Sequence, residues 1–195
     1  MILKDSQRRT IMEKTRLNAK FVAQGAIIAA MYAALTILFA PISYGAVQVR
    51  ISEALTILPL FTPAAIPGLF VGCLLANILG GAIVWDIIFG SIATLIGAAL
   101  GYILRFNRWL VPIPAIVSNA VIIPFILKYG YSIDMSIWLL VIYIAIGEII
   151  GCYLLGELLA TAILKRKDLR SIFSHEGKNA KADAEDEKDK YERDL

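Results

Sequence analysis

The sequence predicts an all-α integral membrane protein, a bundle of six transmembrane helices. Of its 195 residues 58% are hydrophobic, and the mean hydropathy of +0.71 exceeds that of soluble domains. The apolar residues fall into six runs of spanning or near-spanning length. Basic residues collect before the first run and after the last. The net charge of +3 therefore reflects orientation in a membrane and not binding to nucleic acid.

The six runs cover residues 21–41, 46–61, 64–79, 85–104, 109–127 and 137–164. The first has about the length that a ~30 Å hydrocarbon core requires, so we expect a retained span and not a cleaved signal peptide. The second and third runs are short and are flanked by Pro59, Pro63 and Pro67. A re-entrant hairpin is therefore the alternative for this pair, and it leaves both termini on the same side.

The distribution of basic residues indicates on which side of the membrane each loop lies. The segment 1–20, the link 105–108 and the segment 165–170 are all basic and fall on one side of a six-span bundle. The positive-inside rule then predicts that both termini are cytoplasmic. We expect a basic cytoplasmic segment at 1–20, one membrane domain at 21–164, and a charged tail at 165–195 that is disordered or weakly helical.

Several kinds of chemistry lack the residues that they need. The one histidine, His175, lies in the polar tail, and the sequence has no GxxxxGK[ST] phosphate loop. Cys73 and Cys152 form neither a CxxC pair nor a metal-ligand spacing. We therefore expect no cofactor, no metal and no nucleotide hydrolysis, and a protein that binds or translocates a solute and is not an enzyme.

Four charged residues lie inside or at the ends of the apolar runs, where a charge is costly and usually functional. Arg50 and Glu53 would share a face of the second helix, either as a simple ion pair or with Arg50 as the resting partner of a ligand-binding Glu53. Asp86 opens the fourth run, and a carboxylate that only stabilises a helix N-terminus is the alternative for it. Glu148 lies about eleven residues into the last run, close to mid-membrane.

Neutral polar and aromatic residues accompany these charges. Asn77 and Asn119 either join a binding site or form ordinary bonds between helices. Trp85 either stacks on a ligand or anchors the chain at the membrane interface. Because the buried charges are mostly acidic, a neutral or cationic solute rich in N–H donors is favoured over an anion.

Small residues repeat at every fourth position in the first run. Gly25, Ala29 and Ala33 form one ridge, and the adjacent ridge is formed by Ala26, Ala30 and Ala34. Such spacing lets another helix approach closely in lipid. The partner is either a helix of the same bundle or another protein.

Three consecutive motifs resemble one known family. They are VRISEAL at 49–55, AIPGLFVGCLLAN at 65–77 and DIIFGS at 86–91. The chain resembles the QueT family, queuosine-precursor substrate-binding (S) subunits of energy-coupling factor (ECF) transporters, over about residues 21–164. The resemblance implies a multi-pass plasma-membrane subunit that captures its substrate outside and delivers it through a transmembrane coupling protein and two cytoplasmic ATPases.

The resemblance also implies a substrate and a docking face. The substrate would be a 7-deazaguanine such as 7-aminomethyl-7-deazaguanine, with Glu53 and Glu148 binding its N–H edge and its aminomethyl cation, and Asp86 as a third acid. Further candidates are Asn77 and Asn119 for its carbonyl or ring nitrogens, and Trp85, Trp138 and Tyr143 for stacking. The residues matched to the docking motif for the coupling protein are Ala29, Ala30, Ala33 and Ala34.

Three other functions stay open at this stage. A stand-alone proton-coupled transporter would use Glu148 and Asp86 as proton sites, although the spans show no evident inverted repeat. The same scaffold could bind another vitamin. A membrane enzyme would use the carboxylates as acid and base, but no histidine or metal cluster in the apolar region supports this.

Overall fold

The computed structural model describes residues 2–44 and 48–166, with side chains from residue 19 onward. Within these ranges the chain is helical and contains no strand. The α-helices are α1 (Ile2–Leu38), α2 (Ala40–Ser43), α3 (Ala65–Leu79), α4 (Val84–Ile103), α5 (Ile113–Phe125), α6 (Ile137–Glu148) and α7 (Gly156–Lys165). Two 3₁₀ helices, Ile51–Leu60 and Arg108–Leu110, precede α3 and α5. Two π-helical segments, Ile126–Gly130 and Ile149–Leu155, follow α5 and α6.

Four continuous helices are long and apolar enough to cross a membrane, and they confirm four of the predicted runs. They are Ala19–Leu38, Val84–Ile103, Arg108–Gly130 and Ile137–Lys165. The other two runs form the shorter helices Ile51–Leu60 and Ala65–Leu79. At a rise of ~2.0 Å per residue for the first and ~1.5 Å for the second, each measures only about 20–22 Å. The six-span count and the cytoplasmic termini stay predictions, and most of the tail 165–195 lies outside the described residues.

The 3₁₀ helix Ile51–Leu60 lies at the centre of the bundle. It packs against α1, α4, α7 and the π-helical segment Ile149–Leu155. Seven of its ten residues are buried, and they include Glu53. The second helix was predicted to begin near residue 46, but residues 48–50 are not helical, the backbone at Arg50 is extended, and the helix begins at Ile51. The charge at Glu53 is thus on the central helix, whereas Arg50 precedes it.

Helices α1 and α3 approach to backbone contact. A Cβ atom added to Gly72 would lie 2.7 Å from the Tyr32 Cβ and 3.0 Å from the Ala29 Cα. Ala29 and Ala33 are buried in the bundle, whereas Ala30 and Ala34 on the adjacent ridge are exposed. The ridge of Ala29 and Ala33 therefore serves internal packing, and only the second ridge is open to a partner.

A tight turn joins α3 to α4. Gly81 has a φ of +71°, a backbone conformation that residues other than glycine rarely adopt. The Ala82 N–H donates back to the Asn77 carbonyl oxygen at 2.9 Å. The turn thereby brings the end of α3, with Asn77, next to the start of α4, with Asp86. We call this end of the bundle, which also contains Tyr44 and Tyr131, the outer end, as in the predicted topology.

The glycine contact between α1 and α3 predicts a stability effect. Gly72→Ala should lower the melting temperature in detergent, because overpacking costs about 1–3 kcal/mol and exceeds the helix-propensity gain of about 0.5–1 kcal/mol. Gly25→Ala is the matched control in the same interface, since its added methyl would lie at an ordinary 3.4 Å from the Ala64 carbonyl oxygen. A Gly72→Ala protein as stable as the parent would contradict this packing.

Candidate functional site

Buried polar side chains form two groups inside the bundle, and Arg50 lies between them. The deep group contains Tyr32, Glu53, Glu148 and Cys152, and the outer group contains Tyr44, Asn77, Asp86 and Tyr131. Arg50 is buried and within electrostatic reach of Glu53 in the first group and Asp86 in the second. Together they supply a polar interior in a mostly apolar protein.

The deep group joins the central helix to α1 and to the last long helix. The Tyr32 hydroxyl donates to Glu53 Oε1. The Cys152 thiol donates to Glu148 Oε2 at 3.0 Å and lies 3.8 Å from Glu53 Oε2. The buried amide of Asn119, from α5, lies beside the Glu148 carboxylate. The two carboxylates are therefore held together by neutral donors.

The deep group has the composition of a proton or cation site. In the part of the chain that the structure describes, neither Glu53 nor Glu148 has a lysine or arginine nitrogen within ion-pair distance. One ligand atom from each of Glu53, Glu148 and Cys152 lies within 4.8 Å of the others, close enough to hold a metal ion. The spacing of these residues along the sequence did not indicate this grouping. Chemically, the group can hold protons, a metal ion or a cationic ligand.

The outer group leaves hydrogen-bonding atoms unused. Asp86 Oδ2 accepts from the Tyr131 hydroxyl at 3.1 Å, and Asn77 Nδ2 donates to the Asp86 carbonyl oxygen at 3.2 Å. Burial raises the pKa of the Tyr131 phenol, so it stays protonated and able to donate. The Oδ1 atoms of Asn77 and Asp86 are buried without a partner among the described residues. Buried polar atoms are normally paired, so these two acceptors are available to a hydrogen-bond donor.

Arg50 does not form the predicted ion pair with Glu53. Its Nε donates to the Ser43 carbonyl oxygen at 3.1 Å, and its guanidinium lies 5.4 Å from the centre of the Tyr44 ring. The pairing prediction assumed a helix at Arg50, but the backbone there is extended and directs the side chain to the preceding loop. Arg50 Nη2 is a buried donor without a partner in the described structure.

A cavity opens beside the outer group. It is lined by Tyr44, Gln48, Asp86, Leu127, Tyr131 and Ile133, and its volume is about 80 Å³. This volume is well below the ~300–1,000 Å³ that small-molecule sites occupy, so a ligand of purine size requires the walls of the cavity to move apart. Polar groups that fix a ligand's orientation beside an apolar wall are typical of such sites.

Three predicted aromatic residues lie elsewhere. Trp138 is 77% exposed and Trp85 is 58% exposed on the outside of the bundle, and Tyr143 is half-buried. Trp85 stacks on Phe89, with ring centres 6.0 Å apart, in a separate apolar groove. The structure does not bring these three into either group, and their stacking role stays a prediction.

Four members of the two groups were missed by sequence reasoning. Cys152 follows Glu148 by one helical turn, so its place on the same face could have been found. Tyr32 lies on a stripe of α1 that also contains Thr36, a polar pattern that could have indicated the buried face. Tyr44 and Tyr131 are in loops, and no local pattern indicates where a loop side chain points.

An ion pair marks the opposite end of the bundle. Arg108 lies 2.7 Å from Glu157 Oε2 and also donates to the Thr161 hydroxyl at 3.1 Å. Glu157 is buried; its Oε2 is paired with Arg108, whereas its Oε1 has no partner among the described residues. The contact connects α7 to the 3₁₀ helix Arg108–Leu110, which precedes α5.

Together, the long apolar helices and the polar interior define a multi-pass membrane protein with a candidate site for a polar solute. The chain belongs to the QueT transporter family, whose model matches residues 22–165. It is a multi-pass protein of the plasma membrane. The family resemblance drawn from the three motifs is thereby confirmed.

One curated relative is the queuosine precursor transporter QueT of Lactococcus lactis subsp. cremoris (strain MG1363). It is 38% identical over 87 residues, which cover 43% of this chain and 50% of the relative. The chain thus matches about half the length of that relative. No solved structure matches the chain.

The ion pair at Arg108 predicts a loss of stability on mutation. Arg108→Gln should lower the melting temperature, because it leaves the buried Glu157 uncompensated at a cost of about 1–3 kcal/mol. Asp134→Asn is the control, since its partner Lys128 is 3.9 Å away and its own side chain is fully exposed. Equal melting temperatures for the two variants would contradict a structural role for the Arg108 contact.

Proposed function

We propose that this chain is the substrate-capture (S) subunit of an ECF importer and that it binds a queuosine precursor, a 7-deazaguanine such as 7-aminomethyl-7-deazaguanine. The observation that carries the proposal is a set of three unpartnered buried atoms: Oδ1 of Asp86, which lines the outer cavity, Oδ1 of Asn77, which bonds the Asp86 backbone, and Nη2 of Arg50, whose guanidinium lies beside the Tyr44 ring. Family membership and the name of the bacterial relative support the substrate class.

The edge of a 7-deazaguanine matches these atoms in chemistry. Its N1–H and 2-amino groups are donors, for which Asp86 and Asn77 offer acceptors. Its ring carbonyl is an acceptor, for which Arg50 offers a donor. Tyr44 and Tyr131 line the same cavity and supply aromatic surface. In this assignment Asp86, and not Glu53 or Glu148, binds the guanine-like edge.

The deep group supplies a place for the aminomethyl cation. Glu53 and Glu148 are two neighbouring carboxylates without a cation at ion-pair distance in the described chain. A bound ammonium group would compensate their charge and donate charge-assisted hydrogen bonds to their oxygens. Asn119, beside Glu148, would help to orient that carboxylate.

Energy for transport would come from partner subunits. The sequence contains no GxxxxGK[ST] loop, which suits a subunit served by a transmembrane coupling protein and two cytoplasmic ATPases. The exposed ridge of Ala26, Ala30 and Ala34 on α1 is the proposed docking face for the coupling protein. Six spans with both termini in the cytoplasm complete the proposal, on the strength of the basic loops.

Calorimetric titration of the detergent-purified chain tests the substrate. We expect tight binding of 7-aminomethyl-7-deazaguanine, weaker binding of the 7-cyano analogue and of guanine, and no binding of riboflavin or thiamine. Binding of either vitamin instead would indicate an S subunit for another substrate. A folded protein that binds no deazaguanine would overturn the substrate assignment.

Two substitutions separate the proposed roles of the acids. Asp86→Asn should weaken binding of every deazaguanine about 10–100-fold, the equivalent of a charged hydrogen bond of ~1.5–3 kcal/mol. Glu148→Gln should weaken the aminomethyl compound by a similar factor but leave the 7-cyano analogue nearly unchanged. Asp134→Asn, on the exposed loop, is the matched control. Equal losses for both ligands in Glu148→Gln would contradict its role as the cation's partner.

A proton-coupled transporter is the second candidate, favoured by the two protonatable carboxylates of the deep group. Uptake into proteoliposomes distinguishes the two functions. For an S subunit, we expect no net uptake by this chain alone under a proton gradient, and uptake with ATP once the coupling protein and ATPases are co-reconstituted. Uptake driven by the proton gradient alone would establish the second candidate.

A further inference from the structure

Three glycines of the last long helix face the extended segment Gln48–Arg50 and the start of the central helix. Gly147 lies against Gln48, Gly151 lies against Arg50, and Gly156 lies against Ala54. The two stretches of chain therefore run side by side in the same direction. This contact brings Arg50 to its position between the deep and outer groups.

The first two contacts leave no space for a side chain. A Cβ atom on Gly147 would overlap the Gln48 carbonyl oxygen, and one on Gly151 would lie 2.8 Å from the Arg50 carbonyl oxygen. Both neighbours are backbone atoms, so relief requires that the whole segment move. At Gly156 the same atom would lie 3.5 Å from the Ala54 carbonyl oxygen, an ordinary contact.

The spacing of the contacts has a geometric basis. Gly147 and Gly151 are about one helical turn apart, where α6 continues into the π-helical segment Ile149–Leu155. Gln48 and Arg50 are two residues apart, and alternate carbonyl groups of an extended chain point the same way. The backbone at Arg50 is extended, with φ −89° and ψ 109°. The segment thus lies along the helix in register, one carbonyl group over each glycine.

We propose that Gly147 and Gly151 form a glycine track, a pair of glycines against which the segment Gln48–Arg50 packs. This packing positions the Arg50 guanidinium between the deep and outer groups. They are positioning residues and do not themselves contact a ligand. The seating stands on the backbone contacts alone, whereas its effect on deazaguanine binding rests on the proposed function.

Replacing Gly147 or Gly151 by alanine should displace the segment Gln48–Arg50 from the helix without unfolding the bundle. Alanine is a better helix former than glycine, so the helix itself gains stability from Gly147→Ala and from Gly151→Ala. The cost falls on the segment, whose residue Gln48 is 8% exposed. When the segment lifts, Gln48 becomes accessible to water and Arg50 leaves its place between the acids.

Thiol labelling of the full-length purified chain tests the seating. The parent for this assay contains Gln48→Cys together with Cys73→Ala and Cys152→Ala, which remove the two native cysteines. We expect a water-soluble maleimide to label the new thiol at least about tenfold faster when Gly147→Ala is added, because labelling of a buried thiol follows local opening. Gly151→Ala should increase the rate less, and Gly156→Ala should leave it unchanged.

Asp134→Cys in the same background is the control for reagent and fold, since its rate should be high and equal in all variants. An unchanged rate at position 48 in Gly147→Ala would overturn the glycine track, as would an equal increase in Gly156→Ala. If Gly147→Ala fails to fold, the milder Gly151→Ala against Gly156→Ala decides the same question.

Titration of the same glycine variants in the native-cysteine chain tests the consequence for binding. Gly147→Ala and Gly151→Ala should weaken 7-aminomethyl-7-deazaguanine about tenfold or more, with Gly156→Ala like the parent. Faster labelling with unchanged affinity would overturn the positioning role of the track. Faster labelling in a protein whose parent binds no deazaguanine would support the seating and overturn the proposed function instead.

Discussion

The burial of Glu53 in the central helix is the constraint on which the rest of the structure depends. A carboxylate inside an apolar bundle needs hydrogen-bond donors, because a bare charge there is very costly. The donors come from different elements: the Tyr32 hydroxyl from α1, and the Cys152 thiol, 3.8 Å away, from the last long helix. The contacts of this one side chain therefore connect the central helix to α1 and to the last long helix.

Close backbone approach makes room for this centre. The central helix is short and buried, so the long helices must come near one another around it. Glycine and alanine allow this at several places, for example where Gly72 meets Ala29 on α1 and where Gly151 meets the Arg50 carbonyl group. In lipid, such packing and a few polar contacts replace the hydrophobic drive of a soluble core. The small residues thus permit close packing around the buried acid, and the polar contacts of the acid join the packed helices.

Local sequence properties predicted the helices and the identity of most polar site residues, but not how those residues pair. Hydropathy is a property of a run, so the four long spans were correctly placed. The partner of Arg50 was wrong because the prediction extended a helix over residues 48–50, whereas the backbone at Arg50 is extended and the segment contacts Gly147 and Gly151, which are distant in the sequence. Likewise, periodicity could not tell which alanine ridge of α1 is covered by α3. Those outcomes depend on contacts between distant parts of the chain.

The two groups differ in how well their hydrogen bonds are satisfied. In the deep group the two carboxylates already accept from Tyr32 and Cys152, whereas the outer group keeps the Oδ1 atoms of Asn77 and Asp86 unpaired. Each unpaired buried polar atom costs about 1–3 kcal/mol of folding free energy. A ligand that supplied donors to these acceptors would recover that free energy, whereas an apolar molecule of the same shape would not. The unsatisfied outer group therefore favours ligands by their hydrogen-bonding edge, and shape alone is not enough.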